Sequence, residues 1–573
     1  MARRAQAILT AEGWLVTTSP LHVGGIGGDA DTDLAFAIDG LGRLIVGGSS
    51  LAGALRAWCR GSAEDEPASV SDVWGIVRTV RDSRGGATTE GQASRMVCDD
   101  GEVLPSLQAA TATAVRFGET SAETIDLADR AQAMDSPDVV VERPDLLERR
   151  DGVGIDRVTG TAAAGILYSR TVVPCDAAIR LRLNVEVPPG TGELDREKAR
   201  LGSLLNALLS GEVSLGAGST RGLGRVALDR ASLQARELPL AKRTGFLDAL
   251  ERGGRDITAE LLEASSPASG YPSRRRVMQI SVRWEPLGPV MVKAGLDGFS
   301  IDSLPLGGRA LVPDAKGGQH EVIRLVLPGS GIKGALRNRA ELIVRTVLGV
   351  AAPAPDNPRT RFLEQLDQLG LVGAIFGWAP GTDDVEPERQ RLGRGAISVD
   401  DCRSTSEPMT VAEWQALIAP PRTGGKGERV EKSSIDAALR GSLDQKGFRE
   451  ANHVAIDRWT GGAATGALFS VLEPWRVTWE PLRIRIDLDR LGSVDEEPAL
   501  GLVALLLGEL QSGRIFLGHG TNRGMGGMRV TEVTYEGIPG DVSPAAGSAA
   551  LEAWRAQVLS AWSRWVKDNG GAP

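Results

Sequence analysis

The chain repeats itself. Gly47 to Arg56 (GGSSLAGALR) returns as Pro328 to Arg337 (PGSGIKGALR), a shift of 281 residues from 47 to 328. Val153 to Gly160 (VGIDRVTG) returns as Val454 to Gly461 (VAIDRWTG), shifted by 301. Gly216 to Gly224 (GAGSTRGLG) returns as Gly518 to Gly526 (GHGTNRGMG), shifted by 302. Three blocks in one order at nearly one offset define a tandem duplication. Each half must then fold as the same unit, and any site should occur once per copy. In a chain of 573 residues, either half is long enough to bury its own core.

The periodicity within each half predicts α+β architecture. Met278, Ile280, Val282 and Trp284 alternate with polar neighbours, the period of a half-buried strand, and the first copy matches it near Ala7 to Val16. A helix follows the Gly-Ser turn, with Ser49 or Ser50 as its expected cap. Ile179, Leu181, Leu183 and Val185 form a later strand, matched by Ile484, Ile486 and Leu488. A leucine-rich helix, the glycine-rich loop and a last strand complete each copy. Strand, helix, strand taken twice is the order of a ferredoxin-like sheet. The expected boundaries are a first domain at 1–235, a linker at 236–275, a second domain at 276–540 and a helical tail at 541–573. In that tail Leu551, Trp554, Val558 and Trp562 share one face.

Several function classes are excluded early. No run of about eighteen apolar residues is present for a membrane span, and Met1-Ala2-Arg3-Arg4 opens no secretory signal. The expectation is a cytoplasmic protein. Cys59, Cys98, Cys175 and Cys402 form no C-x-x-C pair, and His22, His320, His453 and His519 are too dispersed for a histidine metal cluster. No Ser-His-Asp or Cys-His constellation emerges. A net charge of −9 argues against a generally basic surface, yet Arg and Lys recur inside the repeated blocks.

The glycine-rich loop is no dinucleotide fingerprint, because a helix precedes it and a strand follows. Its glycines serve either tight turns needing positive φ or backbone N–H groups facing a phosphate. Arg221 and Arg523 would add charge-assisted bonds. The Gly-Ser turn into a helix is either ordinary capping or an anion site. The acidic stretch from Asp29 to Asp33 fails the EF-hand template, since Leu34 and Gly40 stand at the required glycine and acidic positions. Asp33 and Asp302 each lie in a loop after a glycine-rich turn. Such an acid is either a solvated loop carboxylate, or a metal holder or orienting group in phosphodiester cleavage. Asp156-Arg157 and Asp457-Arg458 are expected to form an ion pair or to brace a turn, with the Thr-Gly after them ending a strand.

Taken together, the Asp loop, the G-S-x-x-x-G-A-L-R helix, the Ile-Asp-Arg-x-Thr-Gly block, its Gly-x-Leu-aromatic sequel (Gly165 to Tyr168; Gly466 to Phe469) and the Gly-rich loop resemble the RAMP superfamily. The likeness is to backbone subunits of type III CRISPR effector complexes, in the two-repeat form of type III-D-like systems. The resemblance implies an RNA-recognition-motif-like core, a guide RNA along a groove, a complementary target RNA and other effector subunits as partners. It implies thumb insertions, assigned to 101–152 and 403–452. It further implies target cleavage at Asp33 and Asp302, with Asp31 and Asp297 as rivals, using a divalent metal, expected to be Mg2+. Phosphate contacts would come from Ser49, Ser50, Arg56, Ser330, Lys333 and Arg337, and from Gly218, Arg221, Gly222, Gly520, Arg523 and Gly524. A non-catalytic scaffold and a guide-processing endonuclease are the alternatives.

Overall fold

Alternating apolar residues require a sheet with one face buried, and the computed structural model forms two such sheets. It describes residues 4–25, 32–63, 65–81, 87–110, 147–241, 243–263, 270–272, 274–295, 298–314, 318–378, 393–418, 435–540 and 548–570. The elements used below are, in the first copy, β1 (Ala7–Thr17), α1 (Gly48–Arg60), β2 (Met96–Cys98), β3 (Glu148–Ile155), β4 (Ala162–Val172), β5 (Ala178–Val187), α2 (Glu193–Leu209), β6 (Val226–Leu228), β7 (Gln234–Pro239) and α3 (Thr258–Glu263). In the second copy they are β8 (Val277–Pro286), α4 (Gly329–Leu348), α5 (Pro358–Asp367), β9 (Ile397–Val399), β10 (Phe448–Ile456), β11 (Ala463–Pro474), β12 (Leu482–Asp487), α6 (Gly492–Gln511), β13 (Met528–Glu536) and α7 (Ala549–Asn569).

Two compact units result. The first comprises Met1–Glu148, Arg170–Ser219 and Gly224–Arg275; the second comprises Arg149–Ser169, Thr220–Leu223 and Arg276–Pro573. In unit 2 the antiparallel strand order is β9-β12-β8-β13. In unit 1 the matching strands run β2-β5-β1-β6, also antiparallel. With helices α4 and α6, or α1 and α2, between them, this is the ferredoxin-like order read from the sequence. The inward residues are those of the alternation: Met278, Ile280, Val282 and Trp284 all lie in the unit 2 core, and Ile179, Leu181, Leu183 and Val185 in that of unit 1.

Two of the stretches assigned from the sequence carry described structure. The stretch 236–275 is not a bare linker. β7 extends the unit 1 sheet by pairing with β1, and Ile257 and Leu261 are buried in the same core. An apolar residue every few positions in that stretch found a sheet edge to cover. Likewise, the described hairpins begin later than the assigned thumb segments: β3–β4 and β10–β11 each turn at the Ile-Asp-Arg-x-Thr-Gly block. The segments 111–146 and 419–434 lie outside the described residues.

The tail packs on its own unit. Leu551, Trp554, Val558 and Trp562 of α7 join the unit 2 core beside α6. Gly501 makes this possible, because a Cβ there would stand 2.4 Å from the Val558 carbonyl oxygen. Gly501→Leu is expected to destabilise unit 2 by about 1–3 kcal/mol. Thermal melting would read the loss, and limited proteolysis should release α7. No helix among the described residues is long and apolar enough to cross a membrane.

Candidate nucleic-acid site

The two aspartates occupy the same register position. In unit 2, Ser303 bridges Val471 of β11 in parallel, with Ser303 N donating to the Ser470 carbonyl at 3.0 Å and Leu472 N to that of Ser303 at 3.0 Å. In unit 1, Leu34 bridges Arg170 in parallel, with Thr171 N donating to the Leu34 carbonyl at 3.0 Å. Asp302 and Asp33 each precede the bridging residue by one. The loop shift is thus 269 residues, from 33 to 302. At that shift Asp31 falls on Ser300 and Asp297 on Gly28, so neither rival has an acidic counterpart. Asp31 and Asp297 themselves lie outside the described residues.

Asp302 is held rather than solvated. Ser470 donates to its Oδ2 from both the backbone N, at 2.8 Å, and the hydroxyl, at 3.0 Å. Asp302 N in turn donates to Ser470 Oγ at 3.1 Å. This two-way clamp fixes the loop acid to a strand, where a rotamer lost on folding is already spent. The carboxylate lines an open cavity of about 580 Å³ with Lys293, Gly298, Ser303, Phe469, His519 and Arg523. Asp33 is exposed.

The cavity wall is cationic. Arg523 Nη2 donates to His519 Nε2 at 2.8 Å, which leaves the imidazole proton on Nδ1. Burial, then the Arg523 and Lys293 charges, hold His519 below the usual histidine range, so it is neutral at pH 7. Arg523 also lies 5.8 Å from the Phe469 ring centroid, and Phe469 stacks on His453 at 5.3 Å. The first copy repeats the Arg-aromatic pairing in another form: Arg221 Nη1 donates to the Tyr168 hydroxyl at 3.2 Å. It has Ala217 where the second copy has His519 and, at the loop shift, Gly24 where the second has Lys293. Among the described residues no group of three His, Cys, Asp or Glu could hold a metal. One carboxylate beside Lys293 and Arg523 suits a divalent ion only when phosphate supplies the remaining charge and oxygens.

The glycine-rich loops have a steric reason to be glycine. Gly218, Gly222, Gly520 and Gly524 take φ of +79°, +89°, +71° and +82°, the left-handed region. Gly222 also faces Asp401, where a Cβ would lie 2.1 Å from the carboxylate oxygen. Arg221 and Arg523 project from these loops and are exposed, as an RNA contact requires.

The helix starts are already filled. Gly48 N donates to Asp100 Oδ1 at 2.6 Å, and Gly329 N to Asp401 Oδ1 at 2.8 Å. Neither helix has a side-chain cap from Ser49, Ser50 or Ser330. At each Gly-Ser turn the chain thus supplies a carboxylate of its own to one backbone N–H of the helix start. Ser49 and Ser330 are exposed and Ser50 half-buried.

Three of the expected RNA contacts are also engaged within the fold. Arg56 pairs with Glu66 at 2.6 Å and donates to the Gly75 carbonyl at 3.1 Å. Arg337 binds Glu341 at 2.7 Å and the Gly377 carbonyl at 2.8 Å. Lys333, 7% exposed, donates to the Ile397 carbonyl at 2.8 Å. Arg56 and Arg337 share one repeated position and tie each helix to a glycine carbonyl beyond it, whereas Lys333, with Ala52 in its place in the first copy, ties α4 to β9. Burial, then the charges of Arg221, Arg337 and Arg394, pull Lys333 down to about 7. The unfolded lysine, near 10.5, holds a proton the folded one has lost. Stability should therefore rise with pH between about 7 and 10.5, by up to about 1.4 kcal/mol per unit. Lys333→Met is expected to flatten that slope, as Tm values at pH 7 and pH 9.5 would show.

Sequence reasoning missed Ser470, Lys293 and His519. The first was legible, since Tyr168-Ser169 and Phe469-Ser470 extend the repeated aromatic motif by one residue. The other two belong to one copy only and carry no repeat signal.

The comparisons with known proteins agree with the duplication. None of the curated proteins matches the sequence significantly. Among solved structures, similarity is found to a chain of the type III-B Cmr-beta cryo-EM structure in the apo state. The identity is 16%, the TM-score 0.26, and the match covers 38% of this chain and 96% of that one. A chain of type III-B Cmr-beta bound to cognate target RNA gives 16%, 0.25, 38% and 96%. The RAMP superfamily model matches twice, over residues 14–227 and 317–529. The first match takes in the Asp33 loop and its glycine-rich loop, while the second begins past β8 and Asp302 and takes in α4, β10–β11 and the second glycine-rich loop; together they cover more than half of the sequence, and the chain belongs to the RAMP superfamily.

Proposed function

We propose that this chain is a guide-RNA-binding backbone subunit of a type III CRISPR effector complex, acting in the cytoplasm, which cuts complementary target RNA once per copy. The observation that carries the reading is the clamped Asp302 in a cation-lined cavity, with Asp33 at the same register position in the other copy. Exposed Arg221 and Arg523, on loops fixed by their glycines, read backbone phosphate and leave sequence to base pairing.

The chemistry follows from the side chains. Arg523 and Lys293 hold the scissile phosphate and offset the charge that grows on it. Asp302, fixed by Ser470, accepts the proton of the ribose 2′-hydroxyl as that oxygen attacks phosphorus. The 5′-oxygen leaves and takes a proton from water, giving a cyclic phosphate end and a 5′-hydroxyl end. A Mg2+ arriving with the phosphate would be held by Asp302 and would polarise the phosphoryl oxygen. The test is the assembled, guide-loaded complex with end-labelled complementary RNA, in magnesium or chelator. Two cuts in magnesium alone support the reading. Protection without cutting would leave the chain a guide scaffold.

A further inference from the structure

His519 stands between two glycines in the left-handed region, Gly518 at φ of +87° and Gly520 at +71°. Its backbone N donates to the Met291 carbonyl at 2.7 Å, and Gly518 lies so close to that carbonyl that a Cβ would stand 2.1 Å from the oxygen. The imidazole is thus delivered from a fixed turn. A guanidinium only donates, so the bond from Arg523 Nη2 makes Nε2 the acceptor and places the ring proton on Nδ1. Among the described residues that Nδ1–H finds no acceptor in the protein, and the ring lines the cavity that holds Asp302.

Arg523, which sets this tautomer, is itself backed by a stack. Behind it lie the Phe469 ring and then His453. His453 Nε2 is 3.2 Å from Glu473 Oε1, and Trp475 Nε1 donates to Glu473 Oε2 at 2.8 Å. Glu473 is buried, so the stack is anchored in β11. A donor held in this way has little freedom left to lose when a substrate arrives. The first copy has Gly152, Val172 and Ala217 at the places of His453, Glu473 and His519, so the whole device belongs to the second.

We infer that His519 is a catalytic residue of the second copy: its Nδ1–H donates a hydrogen bond to a non-bridging oxygen of the scissile phosphate as that oxygen gains charge. That role rests on the reading of this cavity as the second cutting site. The proton stays on nitrogen throughout, so the step needs no further base. Lys293 and Arg523 supply charge, and the imidazole supplies direction. A neutral donor aimed where negative charge grows adds little to ground-state binding and more to the transition state.

Two substitutions separate the two ring nitrogens. His519→Gln puts an oxygen in the place of Nε2, keeping the Arg523 bond and losing the outer donor. His519→Asn puts an N–H in the place of Nδ1 and loses the Arg523 bond. In the guide-loaded complex, single-turnover cutting of end-labelled complementary RNA is followed over a range of target concentrations. His519→Gln should slow the cut assigned to Asp302 by about 100-fold at saturation, with an unchanged half-saturating concentration. His519→Asn should regain about tenfold of that rate, at a higher half-saturating concentration. The cut assigned to Asp33, read in the same tube, should not change. Wild-type speed in His519→Gln, a rate in His519→Asn no faster than in His519→Gln, or equal slowing of both cuts overturns the inference. A complex that cuts nothing would sink the nuclease reading, and a second measurement then tests the hydrogen bond by itself. The full chain, labelled with 15N on histidine, is titrated with inorganic phosphate, and the resonances missing from His519→Gln identify His519. Phosphate should shift the Nδ1 resonance and leave Nε2 at its unprotonated position. An unmoved Nδ1 overturns the inference.

Discussion

Asp302→Ala is expected to abolish one of two target cuts, slowing it by about 100-fold or more, while the other cut and guide binding persist. Asp33→Ala should remove the other product, and the double variant should protect the RNA uncut. The argument lies in the clamp. A loop acid that merely solvates would not need two donors from one serine and a third bond returned. Ser470→Ala should therefore act through Asp302. It removes the hydroxyl donor but keeps the backbone one, so the expected loss is smaller, about tenfold, with Ser470→Thr restoring most of it. The pH profile separates positioning from mere structure. A hydroxyl donating to the ionised carboxylate favours the charged form. Its loss should move the acidic limb of the cut assigned to Asp302 toward higher pH and leave the other limb in place. A Ser470→Ala variant that slows both cuts equally would return Ser470 to a structural role and Asp302 to being a loop acid.

The second copy should also prove the more responsive of the two. His519 and Lys293 line its cavity, whereas Ala217 and Gly24 stand in the first. This difference was written in the sequence but carried no signal there, because repeat analysis rewards sameness. Arg56 and Arg337 show the converse. Their repetition is real, but it has an internal use: a guanidinium at one helix position reaches the carbonyl of Gly75 or Gly377 in each copy. Spacing along a helix gives the face a side chain is on, not whether the face is open. The strand order was legible because alternation of apolar residues is a local property, and the helix between two such strands leaves few ways to pair them. The seat of Asp156-Arg157 was not, because Glu341 and Arg361 lie about two hundred residues away and only the fold brings them near.

That seat carries the largest expected stability effect. Glu341 is 2% exposed and accepts from both Arg157 and Arg337. Arg157 is itself nearly buried, and Arg337 is pulled below the usual arginine range, mainly by burial. Deleting the carboxylate strands two guanidinium groups in a place that water cannot enter freely. Breaking a buried pair from one side costs about 3–5 kcal/mol. Glu341→Ala is accordingly expected to lower the unfolding free energy of unit 2 by that much, read from denaturant melts, and to expose 149–169 to protease. Replacing Arg157 and Glu341 together with methionines should cost less than Glu341→Ala, because only Arg337, which keeps its bond to the Gly377 carbonyl, then lacks the carboxylate. The double-mutant cycle thus gives a coupling energy for Arg157 with Glu341. A value near zero would mean that the β3–β4 hairpin is held by Asp156 and its packing alone.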